Sequence, residues 1–145
     1  MSFQNKKDLV RRFYEEVVST GNVERVAEFI SDEYAENYEG TRYFLGVEGA
    51  KQHILGVRRT YPDLVLEVTQ QIAEGELVVS QVTMRGTHKG EWLGIAPTGK
   101  AITVTAVNID RVVGGRIVEH GGAANLFEPF LQIGAIRVVG SQTSE

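Results

Sequence analysis

The sequence contains no cysteine, no long apolar run and no excess of positive charge. Without cysteine the chain cannot form disulfides, use a thiolate nucleophile or bind zinc or iron–sulfur clusters through sulfur. The N-terminal segment 1–13 has no continuous apolar stretch, so we expect neither a signal peptide nor a membrane anchor, and predict a cytosolic protein without a membrane partner. The net charge of -4 and pI near 5.4 argue against nucleic acid as a partner.

Several catalytic motifs are also missing. The histidines His53, His88 and His120 do not have the close spacing of metal-ligand pairs such as HxxxH, so no metal site is predicted. No GxSxG nucleophile motif and no phosphate-binding glycine loop of the P-loop type occur. What remains is a chain of 145 residues with 42% apolar and 23% charged residues, which is typical of a single globular domain over 1–145.

The first half of the chain has helical periodicity. Apolar residues recur at three- and four-residue spacing over 5–18, which predicts an amphipathic helix. Asn22 is positioned to cap a second helix whose apolar face includes Phe29 and Ile30. The segment 31–46 resembles a loop or a short extended stretch, and a third helix is predicted over 47–61, before Pro62.

The second half alternates with period two. Strands are predicted at Leu64–Ile72, Leu77–His88, Ala101–Val113 and Arg116–His120, with a glycine hairpin turn at 113–116 and a loop at 89–100. Three helices followed by a curled sheet predict an α+β fold with a sheet open at one end like a cone, and residues 140–145 are predicted to be a disordered tail.

The strand alternation selects residues that face the interior. On the strand from Leu77 the more apolar set faces inward, and it comprises Val78, Ser80, Val82, Met84 and His88. The strand from Ala101 is ambiguous, because both of its faces mix apolar and polar residues. If Ile102 faces inward, then Asn108 and Asp110 bring polar atoms toward the mouth of the cone; the alternative is a polar strand end at the surface.

Four titratable residues are candidates for chemistry, and each has a structural alternative. Glu36 lies between Tyr34 and Tyr38, an aromatic setting typical of carboxylates that exchange protons, although an exposed loop acid is the simpler interpretation. His53 occupies an apolar face of the third helix, where a partly buried structural histidine is common. His88 and His120 stand at strand ends, where either could be a surface residue.

Four segments resemble a known family. They are LVRRFYEEVVSTGNVERVAEFISDEYAEN, GVEGAKQHILGVRRTYPDLVLEV, RGTHKGEWLGIAPTGK and RVVGGRIVEH, and together they are similar to the SnoaL-like polyketide cyclase and ester cyclase family of the nuclear transport factor 2-like superfamily. The resemblance covers about residues 5 to 134 and implies a cone-shaped, cystatin-like α+β barrel with a curved antiparallel or mixed sheet wrapped around three N-terminal helices. It further implies a deep apolar pocket, a homodimer formed through the sheet, and reactions without metal or organic cofactor.

In this family an aspartate takes and returns a proton during aldol ring closure. That aspartate falls on Gly122 here, the family's polarising histidine falls on Asn108, and a second acid of many relatives falls on Asn125. The family's glutamine falls on Ala106 and its asparagine on Glu36. Because glycine cannot take up a proton and an amide is too weak a base, the resemblance leaves Glu36, His53 and His120 as candidate catalytic residues.

Two hypotheses follow from the sequence. The first is a cofactor-free cyclase or isomerase, of lyase or isomerase type, acting on a hydrophobic polyketide- or terpenoid-like molecule; no residue selects the hydroxylase-type chemistry of some relatives. Its expected substrate-binding residues are Tyr14, Tyr34, Val82, Met84, His88, Trp92, Asn108, Asn125 and Phe127. The second is a non-catalytic binding or dimerisation domain of the same fold, motivated by Gly122 and Asn125. An open cavity in which Glu36 and a histidine converge would favour the enzyme.

Overall fold

A six-stranded mixed sheet curves around the N-terminal helices in the computed structural model, which describes residues 1–140. The strands are β1 Ile30–Tyr38, β2 Thr41–Phe44, β3 Val65–Glu74, β4 Leu77–Thr87, β5 Ala101–Val113 and β6 Arg116–Asn125. The helices are α1 Phe3–Arg12, α2 Gly46–Thr60 and α3 Phe127–Gln132. The predicted α+β class is confirmed, whereas the predicted tail lies, beyond Gly140, outside the described residues.

The first helix changes its winding where it enters the core. Ser2 caps α1 by accepting a hydrogen bond from the Asn5 backbone N–H at 3.0 Å. After Arg12 the helix continues as a π-helix, Phe13–Val18, and the Ser19 N–H bonds five residues back to the Tyr14 carbonyl. This wider turn buries the side chains of two consecutive residues, Phe13 and Tyr14. Such π segments are rare and occur frequently at functional sites.

The predicted second helix is wrong in length and in its cap. Only a short 3-10 helix forms, Val23–Glu28, and the Asn22 side chain makes no capping bond. Ile30 instead starts β1, because the Phe29 carbonyl accepts a hydrogen bond from the Ile117 N–H at 2.7 Å and ties the chain to the sheet. The segment that follows, predicted as a loop or short extended stretch, forms the hairpin of β1 and β2.

The sheet has the order β2-β1-β6-β5-β4-β3. All neighbouring pairs are antiparallel except β1 and β6, which run parallel and make the sheet mixed. The predicted glycine turn joins β5 to β6, but β6 continues five residues beyond His120, its predicted end. Glycine and alanine are poor strand formers; residues 121–124 are extended here because each one pairs with a residue of β5.

Two apolar clusters lie on the inner side of the sheet. The larger one packs the π-helix and α2 against the inner faces of β3 and β4, and it includes Val17, Ile54 and Val82. The smaller one is built around Tyr61 and Ile102. Within residues 1–140 no helix is both long and apolar enough to cross a membrane.

Candidate active site

A row of three polar residues crosses the sheet at the open end of the larger cluster. Glu36 on β1 is paired with His120 on β6, and His120 is paired with Asp110 on β5. Residues paired directly across neighbouring strands present their side chains to the same face of a sheet. The face of β5 that carries Ile102, Val104 and Asp110 therefore points inward, and all three residues are buried.

Asp110 is the centre of a buried hydrogen-bonded group. Its side chain is 1% exposed, and one carboxylate oxygen, Oδ1, lies 2.7 Å from Nδ1 of His120. The Tyr14 hydroxyl donates a short hydrogen bond to the other oxygen, Oδ2. The same hydroxyl lies 3.4 Å from His120 Nδ1. The pairing of β5 with β6 thus brings His120 to Asp110, and the π-helix adds Tyr14 from 96 residues away in sequence.

The carboxylate of Asp110 determines the protonation of both neighbours. Burial, followed by the negative charge of Asp110, raises the pKa of Tyr14 well above its usual value, so the phenol remains a hydrogen-bond donor at neutral pH. Burial lowers the pKa of His120, but the charge and hydrogen bond of Asp110, together with Glu36, outweigh it and raise the pKa overall. Because a carboxylate only accepts hydrogen bonds, the Nδ1 atom of His120 carries the proton and Nε2 becomes the reactive nitrogen.

Nε2 of His120 is accessible from the cavity. About a quarter of the side chain is exposed, 27%. Among the described residues, two buried side-chain polar atoms have no hydrogen-bond partner: the Tyr61 hydroxyl oxygen and Nε2 of His88. Nε2 of His120 is not one of them. A histidine that is oriented by a carboxylate at Nδ1 and open at Nε2 is the arrangement found in general acid–base catalysis.

A second carboxylate–imidazole pair faces the first from the helical side. Nδ1 of His53, on α2, bonds both carboxylate oxygens of Glu36, at 2.9 Å to Oε2 and closer to Oε1. The hydrogen bond from Glu36 raises the pKa of His53, against the opposing effect of burial. The Glu36 side chain is only 14% exposed, whereas that of His53 is 58% exposed. Glu36 therefore forms the wall of the site and His53 its rim.

An open cavity separates the two pairs. Its inner part has a volume of about 130 Å³ and is mainly apolar, with Phe13, Val18, Ile54, Val57 and Leu66 in its walls. An outer groove of about 770 Å³ continues from it between Tyr43 and the glycine–alanine segment of β6. Four polar residues line both the pocket and the groove: Glu36, His53, Asn108 and His120. A mainly apolar lining with a few polar groups is typical of a small-molecule site.

Six residues predicted from the sequence lie at this cavity. They are the three candidate catalytic residues Glu36, His53 and His120, and three of the expected substrate-binding residues, Tyr14, Tyr34 and Asn108. Burial, and then the charge of Glu36, raises the pKa of Tyr34, which keeps its phenol protonated as well. Tyr38, the third member of the alternating trio around Glu36, is 65% exposed and lies on the outer groove.

The other six expected substrate-binding residues do not line the cavity. Val82 is part of the main core, and Met84 and Trp92 pack in the smaller cluster. His88 is completely buried and bonds to Thr98. Asn125 lies on a separate surface depression, where its side chain accepts a hydrogen bond from the Phe127 N–H, and Phe127 is 53% exposed. The structure therefore corrects the prediction that these six residues line the substrate cavity.

Asp110 was not among the predicted site residues. Its in-phase position with Ile102 on β5 was the available signal, but alternation alone left both orientations open. Tyr14 is 96 residues from Asp110 in sequence, and a register shift between Arg111 and Val112 places His120 opposite Asp110, so only the folded chain reveals the hydrogen bonds. The described residues contain no cluster of three or more histidine and acidic side chains arranged to hold a metal ion.

Gly122, which stands where the family resemblance places an aspartate, has no room for a side chain. Its φ of +153° lies in a range that favours glycine. A Cβ atom at this position would be 2.4 Å from the Val107 carbonyl oxygen and 2.8 Å from Cα of Asn108. The local backbone therefore excludes a side chain at position 122, and the buried carboxylate of the site is that of Asp110 on β5.

N-terminal helices packed on a six-stranded curved mixed sheet place the chain in the class of nuclear transport factor 2-like α+β folds. The sequence model of the family described as SnoaL-like polyketide cyclase matches residues 8–133. The chain belongs to this family.

Characterised relatives and solved structures agree with this assignment. The chain is 29% identical over 115 residues to the aklanonic acid methyl ester cyclase AcmA of Streptomyces galilaeus, covering 77% of this chain and 78% of the relative. It is 27% identical over 130 residues to the cyclase DnrD of Streptomyces peucetius, covering 88% and 89%. Among structures, IdmH from Streptomyces antibioticus superposes with a TM-score of 0.75 at 28% identity, covering 89% of this chain and 98% of IdmH. AclR from Streptomyces galilaeus shares the fold with a TM-score of 0.81 at 24% identity, covering 94% and 100%.

Proposed function

We propose that the protein is a cofactor-free enzyme that cyclises or isomerises a hydrophobic polyketide- or terpenoid-like small molecule by general acid–base catalysis. The observation that carries this proposal is the group of Tyr14, Asp110 and His120 at an open apolar pocket. The relatives AcmA and DnrD are aklanonic acid methyl ester cyclases, which supports a carbon-bound proton as the site of attack.

In this mechanism His120 is the base. Asp110 holds Nδ1 of His120 and stabilises the imidazolium that forms when Nε2 takes a proton from the substrate. Tyr14 and the burial of Asp110 keep that carboxylate in a single orientation. Asn108, which lines the same cavity, is suited to donate a hydrogen bond to the enolate oxygen of the substrate. The role that the family gives to an aspartate at position 122 is thus assigned to a histidine backed by Asp110.

The direct test is turnover of aklanonic acid methyl ester by the purified protein, with product separated by chromatography. We expect product formation by the wild type and a loss of about 10³-fold or more in Asp110→Asn, because an amide can stabilise the wrong tautomer of His120. Tyr14→Phe should lose less, since it removes one hydrogen bond to Asp110. Retention of full activity in Asp110→Asn, with native circular dichroism, would exclude His120 as a base oriented by Asp110.

A non-catalytic binding domain is the second candidate, and the absence of space at Gly122 favours it. Both candidates predict binding of the ligand in the pocket, so binding alone does not separate them. A thermal shift induced by aklanonic acid methyl ester that is equal in wild type and Asp110→Asn, with no turnover in either, would support the binding domain.

We further propose a homodimer formed through the outer face of the sheet. That face exposes large apolar side chains on β3 and β5, among them Ile72, Val107 and Ile109, which are 60%, 47% and 46% exposed. Apolar patches of this kind are typical of protein interfaces. Light scattering after gel filtration should give a dimer for the wild type and a monomer for Ile109→Glu; a monomeric wild type would refute the interface.

A further inference from the structure

The two carboxylate–imidazole pairs have a geometry that a single base does not require. His120 is held by β6 and His53 by α2, so the two rings come from the sheet side and the helix side of the same cavity. Each ring bonds its carboxylate through Nδ1. Nε2, on the opposite edge of each imidazole, is therefore the nitrogen left for a substrate at both positions.

Glu36 links the two pairs. It bonds His53 directly and is the β-register neighbour of His120 across β1 and β6. Its charge contributes to the raised pKa of both histidines, while the positive charge of His120 lowers the pKa of His53. The ionisable groups that face His120 are Asp110, Tyr14 and Glu36; His53 is faced by Glu36 and His120. Because a proton on one histidine disfavours a proton on the other, the site is suited to hold one imidazolium and one neutral imidazole.

We propose that these pairs divide the proton transfers of the reaction: His120, backed by Asp110, removes a proton from a substrate carbon, and His53, backed by Glu36, gives a different proton to a substrate oxygen. This inference rests on the proposed function and adds a second catalytic pair to it. The exposed rim position of His53, with 58% of its side chain accessible, allows it to regain a proton from solvent after each turnover.

The step balances without an oxidant or a co-reactant. The C–H bond next to one carbonyl breaks, its proton goes to Nε2 of His120, and its electron pair forms a C–C bond to a second carbonyl carbon of the same molecule. The π electrons of that second carbonyl move to its oxygen, which takes a proton from Nε2 of His53. Substrate and product are isomers, His120 is left protonated and His53 neutral, and exchange with solvent through the outer groove restores both.

The two halves of this reaction are separable in D₂O. Exchange of the substrate C–H for deuterium needs only the base, whereas ring closure needs the base and the acid. Aklanonic acid methyl ester is incubated with wild type, His53→Gln, His120→Gln and the control Arg59→Gln, an exposed position on the same helix as His53. Deuterium in the recovered substrate, in excess of the enzyme-free rate, and product formation are both followed by mass spectrometry.

We expect His53→Gln to exchange deuterium within about threefold of the wild type but to form product about 10²- to 10⁴-fold more slowly, the range for losing one general acid. His120→Gln should lose both activities, and Arg59→Gln should lose neither. The pH profile of kcat/KM should be bell-shaped in the wild type and should lack its alkaline limb in His53→Gln, which a purely structural role would not produce.

The outcomes distinguish the two proposals. If His53→Gln keeps full product formation, or loses exchange and closure equally while remaining folded by circular dichroism, the division of roles is refuted and the single-base proposal stands. If the wild type shows neither excess exchange nor product, the proposed function itself fails.

Discussion

Two histidines of this protein, His120 within β6 and His88 directly after β4, are used differently. Nδ1 of His120 lies 2.7 Å from a carboxylate and its Nε2 is open to the cavity. Nδ1 of His88 accepts the Thr98 backbone N–H at 3.3 Å, so His88 carries its proton on Nε2, which is buried and unpartnered. The two rings therefore adopt opposite tautomers.

The difference between them comes from their surroundings. His88 is 0% exposed and packs against Tyr61 and Trp92, with ring centroids 6.3 and 6.2 Å away. Among residues 1–140 no acidic residue is hydrogen-bonded to it, and Thr98 is a neutral partner. His88 thus serves the packing of the smaller cluster. A carboxylate at one nitrogen and open space at the other identify His120 as the ring suited to proton transfer.

Removing the buried ring should have the largest effect on stability. We expect His88→Ala to lose about 3 kcal/mol of unfolding free energy, because a fully buried ring leaves a cavity between Tyr61 and Trp92. Chemical denaturation followed by Trp92 fluorescence measures this loss. Turnover by the folded fraction should stay near wild type; a selective loss of kcat would show that the comparison between the two histidines is wrong.

Restoring the family acid should cost about 2 kcal/mol and return no activity. Gly122→Asp forces a side chain into a backbone with φ of +153° and against the Val107 carbonyl. The thermal midpoint should fall, and Asp110→Asn combined with Gly122→Asp should be no more active than Asp110→Asn alone. Recovery of turnover in the double variant would mean that the backbone at position 122 adapts and that Asp110 is replaceable.

The contribution of His120 to the pH dependence of the unfolding free energy should change sign in Asp110→Asn. In the wild type the folded pKa of His120 is raised, so the native state binds more protons than the unfolded state between the unfolded pKa, about 6.5, and the folded pKa. Stability is therefore fully present below that window and declines as pH rises through it, by at most about 1.4 kcal/mol per pH unit for one group.

In Asp110→Asn, burial dominates and should bring the pKa of His120 below 6.5, so this group would instead add stability as pH rises toward 6.5. Urea titrations at several pH values, with the His120 ring followed by nuclear magnetic resonance, test both slopes. A pKa of His120 that is unchanged in the variant would contradict the assigned role of Asp110.

The smallest effect is expected at Asn125. Asn125→Ala removes one exposed hydrogen bond to the Phe127 N–H, remote from both histidines. We expect less than about 0.5 kcal/mol of destabilisation and unchanged turnover, as is usual for surface substitutions. A loss of activity above tenfold would return Asn125 to the substrate-binding residues.

Regular periodicity made most of the fold predictable. The predicted strand Ala101–Val113 agrees with β5, and α2 differs from its prediction by one residue at each end. The errors occur where long-range pairing overrides local preference. Phe29 and Ile30 fit the apolar face of a helix but are tied to β6 by a backbone hydrogen bond, and the glycines after His120 are extended only because β5 is beside them.

The candidate site was predictable in part. Glu36, His53 and His120 could be selected because few titratable residues lie on inward-facing positions. Their hydrogen-bond partners could not be assigned from the sequence. Asp110, which bonds His120, is also bonded by Tyr14 from 96 residues away, and the contact between His53 and Glu36 spans 17 residues. Met84 and His88 were misplaced because strand alternation reports the face of a sheet but not the distance from its open end.

The sequence by itself determined the α+β class, the absence of thiol chemistry, and the lack of an ionisable side chain at Gly122, because each depends on residue type or local period. Only the tertiary structure decided that Asp110 points inward and bonds His120, and that Glu36 joins His53 to the same cavity. These contacts depend on the register of β1, β6 and β5 and on the wider helical turn at Tyr14, which are set by packing across the whole chain.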